Sequence, residues 1–229
     1  MKKFELTAES KINIFGKKLF RIKALISFGD VEEGETGGWI EKEENLEQSS
    51  GNAWVYGNAE VYGNARVYGN AEVYGNAWVY GNAEVYGNAE VYGNARVYGN
   101  AEVYGNAWVY GNARVSGNVW VYGNAWVYGN AEVYGNAEVY GNARVSGNAE
   151  VSGNADYTTI HGFGTQFRTT TFFQCEDKQI RVSCGCFLGT IPEFREQVKN
   201  TREGKIAEEY LMIADLMEKH FVKEKESGE

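Results

Sequence analysis

The middle of the chain repeats every six residues, from Gly51 to Ser152, with small, polar and apolar residues in a constant order. The unit is Gly-Asn-Ala-X-Val-Tyr, and 17 units follow one another without an insertion. Ala and Val stand two positions apart, the spacing that places side chains on one side of a β-strand. A six-residue period gives no single apolar stripe on a helix of about 3.6 residues per turn. The pattern therefore predicts short strands with Ala and Val inward and with X and Tyr outward, as at Trp54 and Tyr56.

The Gly-Asn pair that opens each unit predicts a corner, because Gly and Asn adopt positive φ more easily than other residues. A chain that turns every six residues stacks into a solenoid whose strands bond to the coils above and below. Three units per coil would give nearly six coils in 102 residues, a rod about 27 Å long at about 4.8 Å per strand. Two units per coil would leave little room for Val, so we favour three.

Read from the valine, the unit is Val-Tyr-Gly-Asn-Ala-X, an aliphatic residue followed four positions later by a small one. This unit resembles the left-handed parallel β-helix of the hexapeptide-repeat proteins. The resemblance implies a left-handed coil of three units and, because related proteins are usually trimers, a homotrimer. The chain departs from that family in having Tyr after the valine, where a small residue is usual.

Residues 1–50 precede the repeat and contain short apolar runs, among them Phe4–Leu6 and Leu19–Ile22. We expect these runs to form a β cap, because a solenoid end exposes unpaired strand edges and an open core. The stretch from Phe28 to Ile40 resembles the start of uncharacterised bacterial and phage-encoded hexapeptide-repeat proteins, some of which are labelled acyltransferases.

The residues that follow the repeat lose its period and have a different character. Two β-prone runs, Gln166–Gln174 and Gln179–Cys184, flank a polar turn and predict a hairpin. Thr190-Ile191-Pro192-Glu193 reads as a capping box and predicts a helix that ends near Asn200. Apolar residues at helical spacing predict a second helix from about Lys205 to Lys223. This ββαα unit also resembles the tails of phage and prophage proteins.

We therefore divide the chain into an N-terminal β cap (1–50), a β-helix rod (51–158) and a C-terminal unit (159–229) for oligomerisation or binding. The fold class predicted is mainly β, a hexapeptide-repeat parallel β-helix.

The net charge of −9 is spread over all three segments. Residues 51–156 contain four basic and nine acidic residues, a net charge of −5, and neither flanking segment is basic. Direct binding to nucleic acid therefore has no electrostatic support. Mimicry of DNA is equally disfavoured, since about 16 charges lie along 27 Å of duplex.

The sequence carries no signal of export or membrane insertion. The first 14 residues alternate charged and apolar positions, unlike a signal peptide. No run approaches the roughly 18 apolar residues of a membrane span. With three cysteines, an odd number, we expect reduced thiols and a cytoplasmic protein, in the host cytoplasm if the chain is phage-encoded.

Candidate catalytic residues are few. Acyltransferases of the family that the repeat resembles usually use a histidine base, but residues 51–156 contain no His, Lys or Cys. His161 and His220 are expected to be packing or surface residues. We therefore predict no catalytic residues, with acyl transfer as the alternative.

The cysteines Cys175, Cys184 and Cys186 are expected to be structural thiols rather than metal ligands or redox groups. With His161 they could form a Cys₃His zinc site, but the C-x₂-C spacing typical of zinc ribbons is absent. The sequence accordingly predicts neither a metal nor a cofactor.

The outward position carries Tyr in 14 of the 17 units, and Ser116, Ser146 and Ser152 replace it in the others. Stacked coils would align the tyrosines in ladders that stabilise the rod and offer a binding surface. One window, between Glu102 and Glu132, has no acid at X.

We predict that this window binds a partner, with drift among duplicated repeats as the alternative. The candidate binding residues on the rod are Trp108, Tyr110, Arg114, Trp120, Tyr122 and Trp126. The C-terminal hairpin would add Arg168, Arg181, Cys184 and Cys186.

These observations favour a non-enzymatic β-solenoid binding protein. The resemblance to phage-encoded proteins implies a sharper hypothesis, an inhibitor of a host defence component. It would act by binding a host protein or by sequestering a small signalling nucleotide between subunits. An acyltransferase and a structural spacer, which would associate end to end, are the alternatives.

Overall fold

The structure is a computed structural model, and it describes residues 2–221. At the N-terminus, strand β1 (Phe4–Ile12) pairs with β2 (Lys18–Ala24), and β2 pairs with β3 (Thr36–Ile40), both in antiparallel fashion. A short 3-10 helix (Glu43–Asn45) connects this cap to the rod. The N-terminal segment is therefore β-structured, as the sequence predicts.

The rod consists of two-residue strands, one for each hexad. In chain order they are β4 (Trp54–Val55), β5 (Glu60–Val61), β6 (Arg66–Val67), β7 (Glu72–Val73), β8 (Trp78–Val79), β9 (Glu84–Val85), β10 (Glu90–Val91), β11 (Arg96–Val97), β12 (Glu102–Val103), β13 (Trp108–Val109), β14 (Arg114–Val115), β15 (Trp120–Val121), β16 (Trp126–Val127), β17 (Glu132–Val133), β18 (Glu138–Val139), β19 (Arg144–Val145) and β20 (Glu150–Val151).

Each strand pairs in parallel with the strand three hexads further on, as Trp54 does with Glu72. This register confirms three hexads per coil and a parallel solenoid of about six turns. The rod therefore has three faces. Face 1 holds β4, β7, β10, β13, β16 and β19; face 2 holds β5, β8, β11, β14, β17 and β20, continued by the cap; and face 3 holds β6, β9, β12, β15 and β18. The left-handed sense implied by the resemblance stays a prediction.

The core of the rod is a column of Ala and Val side chains, all essentially inaccessible to solvent. Val119 replaces Ala in one coil and is equally buried. Trp54 points outward as predicted, in register with Glu72, but its side chain does not reach solvent, because Phe4 and Phe28 of the cap cover it completely. Glu60 is also covered, at 7% exposure, because Lys11 of β1 lies 2.8 Å from its carboxylate.

The corners repeat a single hydrogen-bonding pattern. Gly87 at φ +71 would place an added Cβ 2.9 Å from the backbone nitrogen of Gly105 in the next coil, so the corner requires glycine. From Asn58 to Asn130, the side-chain amide of each corner Asn donates to the equivalent Asn of the next coil, as in Asn88 to Asn106 at 3.1 Å. Three such ladders clamp successive coils together.

After the rod, the chain forms a four-stranded antiparallel sheet in the order β21-β22-β23-β24. Its strands are β21 (Tyr157–Phe163), β22 (Arg168–Gln174), β23 (Ile180–Cys184) and β24 (Phe187–Thr190). The predicted hairpin is present as the inner pair of this sheet. The two outer strands were not predicted, because β21 follows the fading repeat and β24 is short and contains Gly189.

Two helices complete the described chain, α1 (Ile191–Thr201) and α2 (Gly204–His220). Helix α1 begins at the predicted capping box, in which Thr190 and Glu193 bond reciprocally. The predicted end of the second helix at Lys223 lies outside the described residues. Among residues 2–221, no helix has the length and apolar character needed to cross a membrane.

The C-terminal sheet packs on the last strands of faces 1 and 2, where β22 contacts β19 and β20. The backbone nitrogen of Arg144 donates to the hydroxyl of Thr171 at 3.0 Å, and Ala149 forms a β-bridge with Cys175. These contacts place the turns of the sheet beside the last coils of the rod.

Candidate functional site

The outward tyrosines form stacked columns, one on each face. On face 3, Tyr68, Tyr86, Tyr104, Tyr122 and Tyr140 lie in one column with ring centroids 4.8 to 5.4 Å apart. Each ring covers its neighbour, so the column presents ring edges to solvent over most of its length.

Glutamates at X hold several tyrosine hydroxyls in place. Tyr68 donates to Glu84 at 2.7 Å, and Tyr86 donates to Glu102 at 2.8 Å. Burial and the neighbouring carboxylates raise the pKa of these phenols above its ordinary range. The phenols of Tyr68 and Tyr86 are therefore neutral hydrogen-bond donors over the whole physiological pH range.

The six rod residues predicted to bind a partner lie on all three faces. Trp108, Tyr110 and Trp126 occupy face 1, Arg114 occupies face 2, and Trp120 occupies face 3 with Tyr122. They do not form one continuous surface, because consecutive hexads point in three directions.

On face 1, Trp108 stacks on Trp126, three hexads further on, with ring centroids 4.9 Å apart and planes 7° from parallel. The guanidinium of Arg144 lies 4.3 Å from the Trp126 ring centroid on the next strand. Both faces of the Trp126 ring are therefore covered, by Trp108 on one side and Arg144 on the other.

This stack borders a cleft of ≈ 720 Å³ between face 1 and the C-terminal sheet. The cleft brings together residues from the rod corner, from the turn before β22 and from the turn after β23. Its lining residues are Asn124, Trp126, Asn142, Arg144, His161, Phe167, Arg168, Thr169, Gly185 and Cys186. No carboxylate is among them. We call this feature the basic cleft.

Two guanidinium groups of the basic cleft converge on Gly185. Arg144 donates from Nη1 to the Gly185 carbonyl at 3.4 Å, and Nη1 of Arg168 lies against the Gly185 Cα, where a Cβ would point. Among residues 2–221, neither Arg144 nor Arg168 forms an ion pair with a carboxylate. The cleft therefore concentrates positive charge on an otherwise acidic molecule.

His161 and Phe167 complete the outer wall of the basic cleft. Nδ1 of His161 lies 3.1 Å from the Thr169 hydroxyl. Phe167 is 65% exposed and has φ +48, a conformation that a bulky residue rarely adopts. Strained backbone of this kind clusters at functional sites, and Phe167 is one of the residues that line the cleft.

The remaining predicted site residues are dispersed. Arg168 and Cys186 line the basic cleft. Cys184 instead accepts a hydrogen bond from Thr170 at 3.2 Å, and Arg181 pairs with Asp177 at 2.6 Å beside a different depression.

The cysteines do not assemble a metal centre in the described part of the chain, where no three His, Cys, Asp or Glu residues are grouped to hold an ion. Cys175 is buried, and its burial raises the thiol pKa to about 11. This thiol is therefore protonated at neutral pH.

Sequence reasoning missed Arg144 and Phe167 as site residues. Arg144 could have been found, because it stands three hexads after Trp126 and must stack on it once three hexads make a coil. Nothing in the sequence indicated Phe167 as a site residue, since its exposure depends on how the turn before β22 meets the rod.

Comparison with known proteins supports the repeat architecture. The family model described as the YdcK Beta solenoid repeat matches six stretches of the rod, some of them overlapping, at residues 59–75, 65–81, 89–105, 95–111, 107–123 and 137–153. No curated protein matches the chain. The matches together with the fold establish a β-solenoid repeat protein, and the matched residues all lie between the cap and the C-terminal sheet.

Proposed function

We propose that this protein is a non-enzymatic β-solenoid binding protein that holds a small anionic ligand of the nucleotide class in the basic cleft. The observation that carries the proposal is the convergence of Arg144 and Arg168 on Gly185, in a cleft without a lining carboxylate. Guanidinium groups are suited to phosphate because they donate two parallel hydrogen bonds.

The remaining lining groups suit the rest of a nucleotide. Asn124, Asn142 and Thr169 supply amides and a hydroxyl for sugar or base edges. Phe167 offers an exposed ring on which a base could stack. Trp126 offers only its edge, because both of its ring faces are covered.

Sequestration of a small signalling nucleotide is the form of this proposal that fits a cleft lined by arginine, amide, hydroxyl and aromatic groups. Action against a host defence component is part of the same proposal and depends on the resemblance to phage-encoded proteins. We also propose that the protein is a homotrimer. Native mass spectrometry measures the number of chains in the oligomer directly.

Acyl transfer is the competing function, because His161 lies in the basic cleft with a hydroxyl at hydrogen-bonding distance. Among the lining residues, however, no carboxylate is present to orient the imidazole as a base. Steady hydrolysis or transfer of acetyl-coenzyme A by pure protein, lost in His161→Ala, would favour the enzyme over the binding protein.

A spacer that polymerises end to end has less support. At the N-terminal end, β3 and the residues after it bond to the first coil, as in Trp39 to Ala59 at 2.9 Å. At the other end, Asn154 and the C-terminal sheet cover the last coil. Edges that are already paired cannot template another rod.

Native mass spectrometry of protein purified from bacterial cytosol, repeated after denaturation, tests the proposal. We expect an oligomer whose mass exceeds that of its chains by a small molecule, which denaturation releases. Phosphorus in the released molecule would support the nucleotide class. Release of a neutral or cationic molecule from the cleft would contradict the proposal.

A titration with adenosine diphosphate provides the matched test for protein that purifies empty. We expect Arg168→Ala to weaken binding at least about tenfold, because a lost charge-assisted bond is worth roughly 1.5–3 kcal/mol. Arg96→Ala is the control, since Arg96 stacks on Trp78 at 4.4 Å in the same way but lies outside the cleft. Equal affinities in wild type and Arg168→Ala would reject the cleft as the site.

A further inference from the structure

The tyrosine column on face 2 is interrupted in its interior. Tyr62, Tyr80 and Tyr98 stack with ring centroids 5.0 and 4.9 Å apart. Ser116 then takes the place of the next ring, and Tyr134 resumes the column one coil later. The strands below these residues remain in register, because Arg96 pairs with Arg114 and Arg114 with Glu132.

The interruption removes one aromatic ring from the column, and we call the space between Tyr98 and Tyr134 the slot. Tyr98 and Tyr134 are separated by two strand spacings, about 9.6 Å, so a ring between them would lie at the same distance from each as in an intact column. Among residues 2–221, no ring covers the far face of Tyr98 or either face of Tyr134. Tyr134 is held in place by its bond to Glu150 at 2.8 Å.

The other two serines leave no comparable slot. Ser146 is fully buried where the rod meets the C-terminal sheet. Ser152 ends its column and donates to Asp156 at 2.6 Å. Ser116 alone replaces a tyrosine between two tyrosines of the same column.

We propose that the slot between Tyr98 and Tyr134 binds a single uncharged nitrogen heterocycle, such as a purine base. Two phenol rings would cover its faces, and Ser116 occupies the register position between them. At the rim, Arg114 and Glu132 form an ion pair of 3.0 Å with both side chains about half exposed. This pair offers hydrogen-bond donors and acceptors side by side, which matches the mixed edge of a heterocyclic base and not that of a plain hydrocarbon ring.

The slot is distinct from the basic cleft. Ser116 lies on face 2, whereas Trp126 and Arg144 lie on face 1. The rim of the slot is charge-neutral because Arg114 is paired, so it has no preference for phosphate. The inference therefore goes beyond the proposed function and does not depend on it.

Fluorescence titration with 2-aminopurine riboside, an uncharged nucleoside probe, tests the slot. We expect the tyrosines to quench the bound probe in the wild type, and Ser116→Tyr to weaken binding at least about tenfold because the new ring fills the slot. Ser116→Ala is the matched control and should bind nearly as well as the wild type, since the slot stays open. Ser116→Tyr restores the consensus unit, so failure to fold is not expected.

Arg168→Ala separates the slot from the basic cleft and should leave nucleoside binding unchanged. Equal binding by the wild type and Ser116→Tyr would overturn the inference. Loss of nucleoside binding in Arg168→Ala would also overturn it, because the probe would then occupy the cleft. Absence of binding to the wild type at millimolar probe would also overturn the inference about the slot. Binding of a nucleotide in the basic cleft would still be tested separately by the adenosine diphosphate titration.

Discussion

Single residues that break the local rules mark the places where this repetitive molecule differs from a plain rod. Within the rod, Ser replaces Tyr where a ring would obstruct the C-terminal sheet, at Ser146, and where it would close the face 2 slot, at Ser116. Beyond the rod, Gly185 and Phe167 both have positive φ and both line the basic cleft.

Replacement of Gly185 by alanine should damage the basic cleft. An added Cβ at φ +63 would meet the Arg168 guanidinium, and a non-glycine residue in this region costs about 1–2 kcal/mol. We expect a lower midpoint of thermal unfolding and weaker adenosine diphosphate binding. Gly153→Ala is the control, since its Cβ would meet nothing within 4 Å. If both variants bind alike, Gly185 does not position Arg168.

Replacement of Phe167 by asparagine should stabilise the protein and lower its affinity for the ligand. Asparagine tolerates positive φ, so relief of strain should raise the free energy of unfolding by about 1 kcal/mol. The exposed ring that lines the cleft would be lost. Chemical denaturation and ligand titration measure the two effects. Leu188→Asn, another exposed apolar residue, is the control and should leave binding unchanged. Lower stability with unchanged affinity would show that the Phe167 conformation serves packing instead.

At the scale of elements, strands of two residues are too short to persist alone, and three kinds of ladder hold them together. Backbone bonds, Asn side chains and stacked rings each connect one coil to the next, as in Asn88 to Asn106 at 3.1 Å and Tyr86 on Tyr104 at 4.8 Å. The stability of each element therefore comes from its neighbours along the rod.

Alkaline pH should unfold the rod through its tyrosine columns. Burial raises the pKa of Tyr110 to about 12, and burial with carboxylate neighbours raises that of Tyr68 and Tyr74 further. In the unfolded chain tyrosines titrate near pH 10. Above that pH the folded state keeps protons that the unfolded state releases, so the free energy of unfolding falls as pH rises.

Tyrosinate absorbance and circular dichroism followed together provide the measurement. We expect most of the tyrosinate absorbance to appear together with the loss of circular dichroism, well above pH 10, whereas protein in denaturant should titrate near pH 10. A full tyrosine titration near pH 10 with unchanged circular dichroism would contradict the coupling of the columns to stability.

At the scale of the whole molecule, the cap pairs with the first coil of the rod, the C-terminal sheet contacts its last strands, and the repeat sets the face on which each hexad lies. Because three hexads make one coil, a feature of one hexad reappears on the same face only three hexads later. The basic cleft exists because the C-terminal sheet reaches the rod at the face that carries Trp126 and Arg144.

Removal of one complete coil, residues 87–104, should preserve the fold and the cleft. The deletion joins equivalent hexads and leaves every later residue on its original face, so only one coil of stacking is lost. We expect native circular dichroism and an unchanged affinity for adenosine diphosphate. Deletion of residues 87–95 is the contrasting variant, because it removes one and a half hexads, breaks the hexad phase and turns Ala and Val outward. Equal stability of the two variants would argue that the hexad phase does not hold the rod together.

The sequence by itself determined the repeating part of this protein, because each hexad carries its whole structural rule. Alternation places Ala53 and Val55 inside, Gly57 turns the corner, and the three-hexad register then aligns Trp108 with Trp126. Local rules also fixed the start of α1, where Thr190 and Glu193 cap each other within a single turn. Such features need only neighbours in the chain or in the adjacent coil.

Only the tertiary structure decided where the rod meets its flanking segments. Trp54 is buried because Phe4, in the first strand of the cap, packs against it. The basic cleft joins Arg144 of the rod to Arg168 and Gly185 of two separate turns. No periodic signal relates these positions, because the approach of the C-terminal sheet to face 1 depends on packing between surfaces distant in sequence. The repeat thus specified the rod, and long-range packing specified the site.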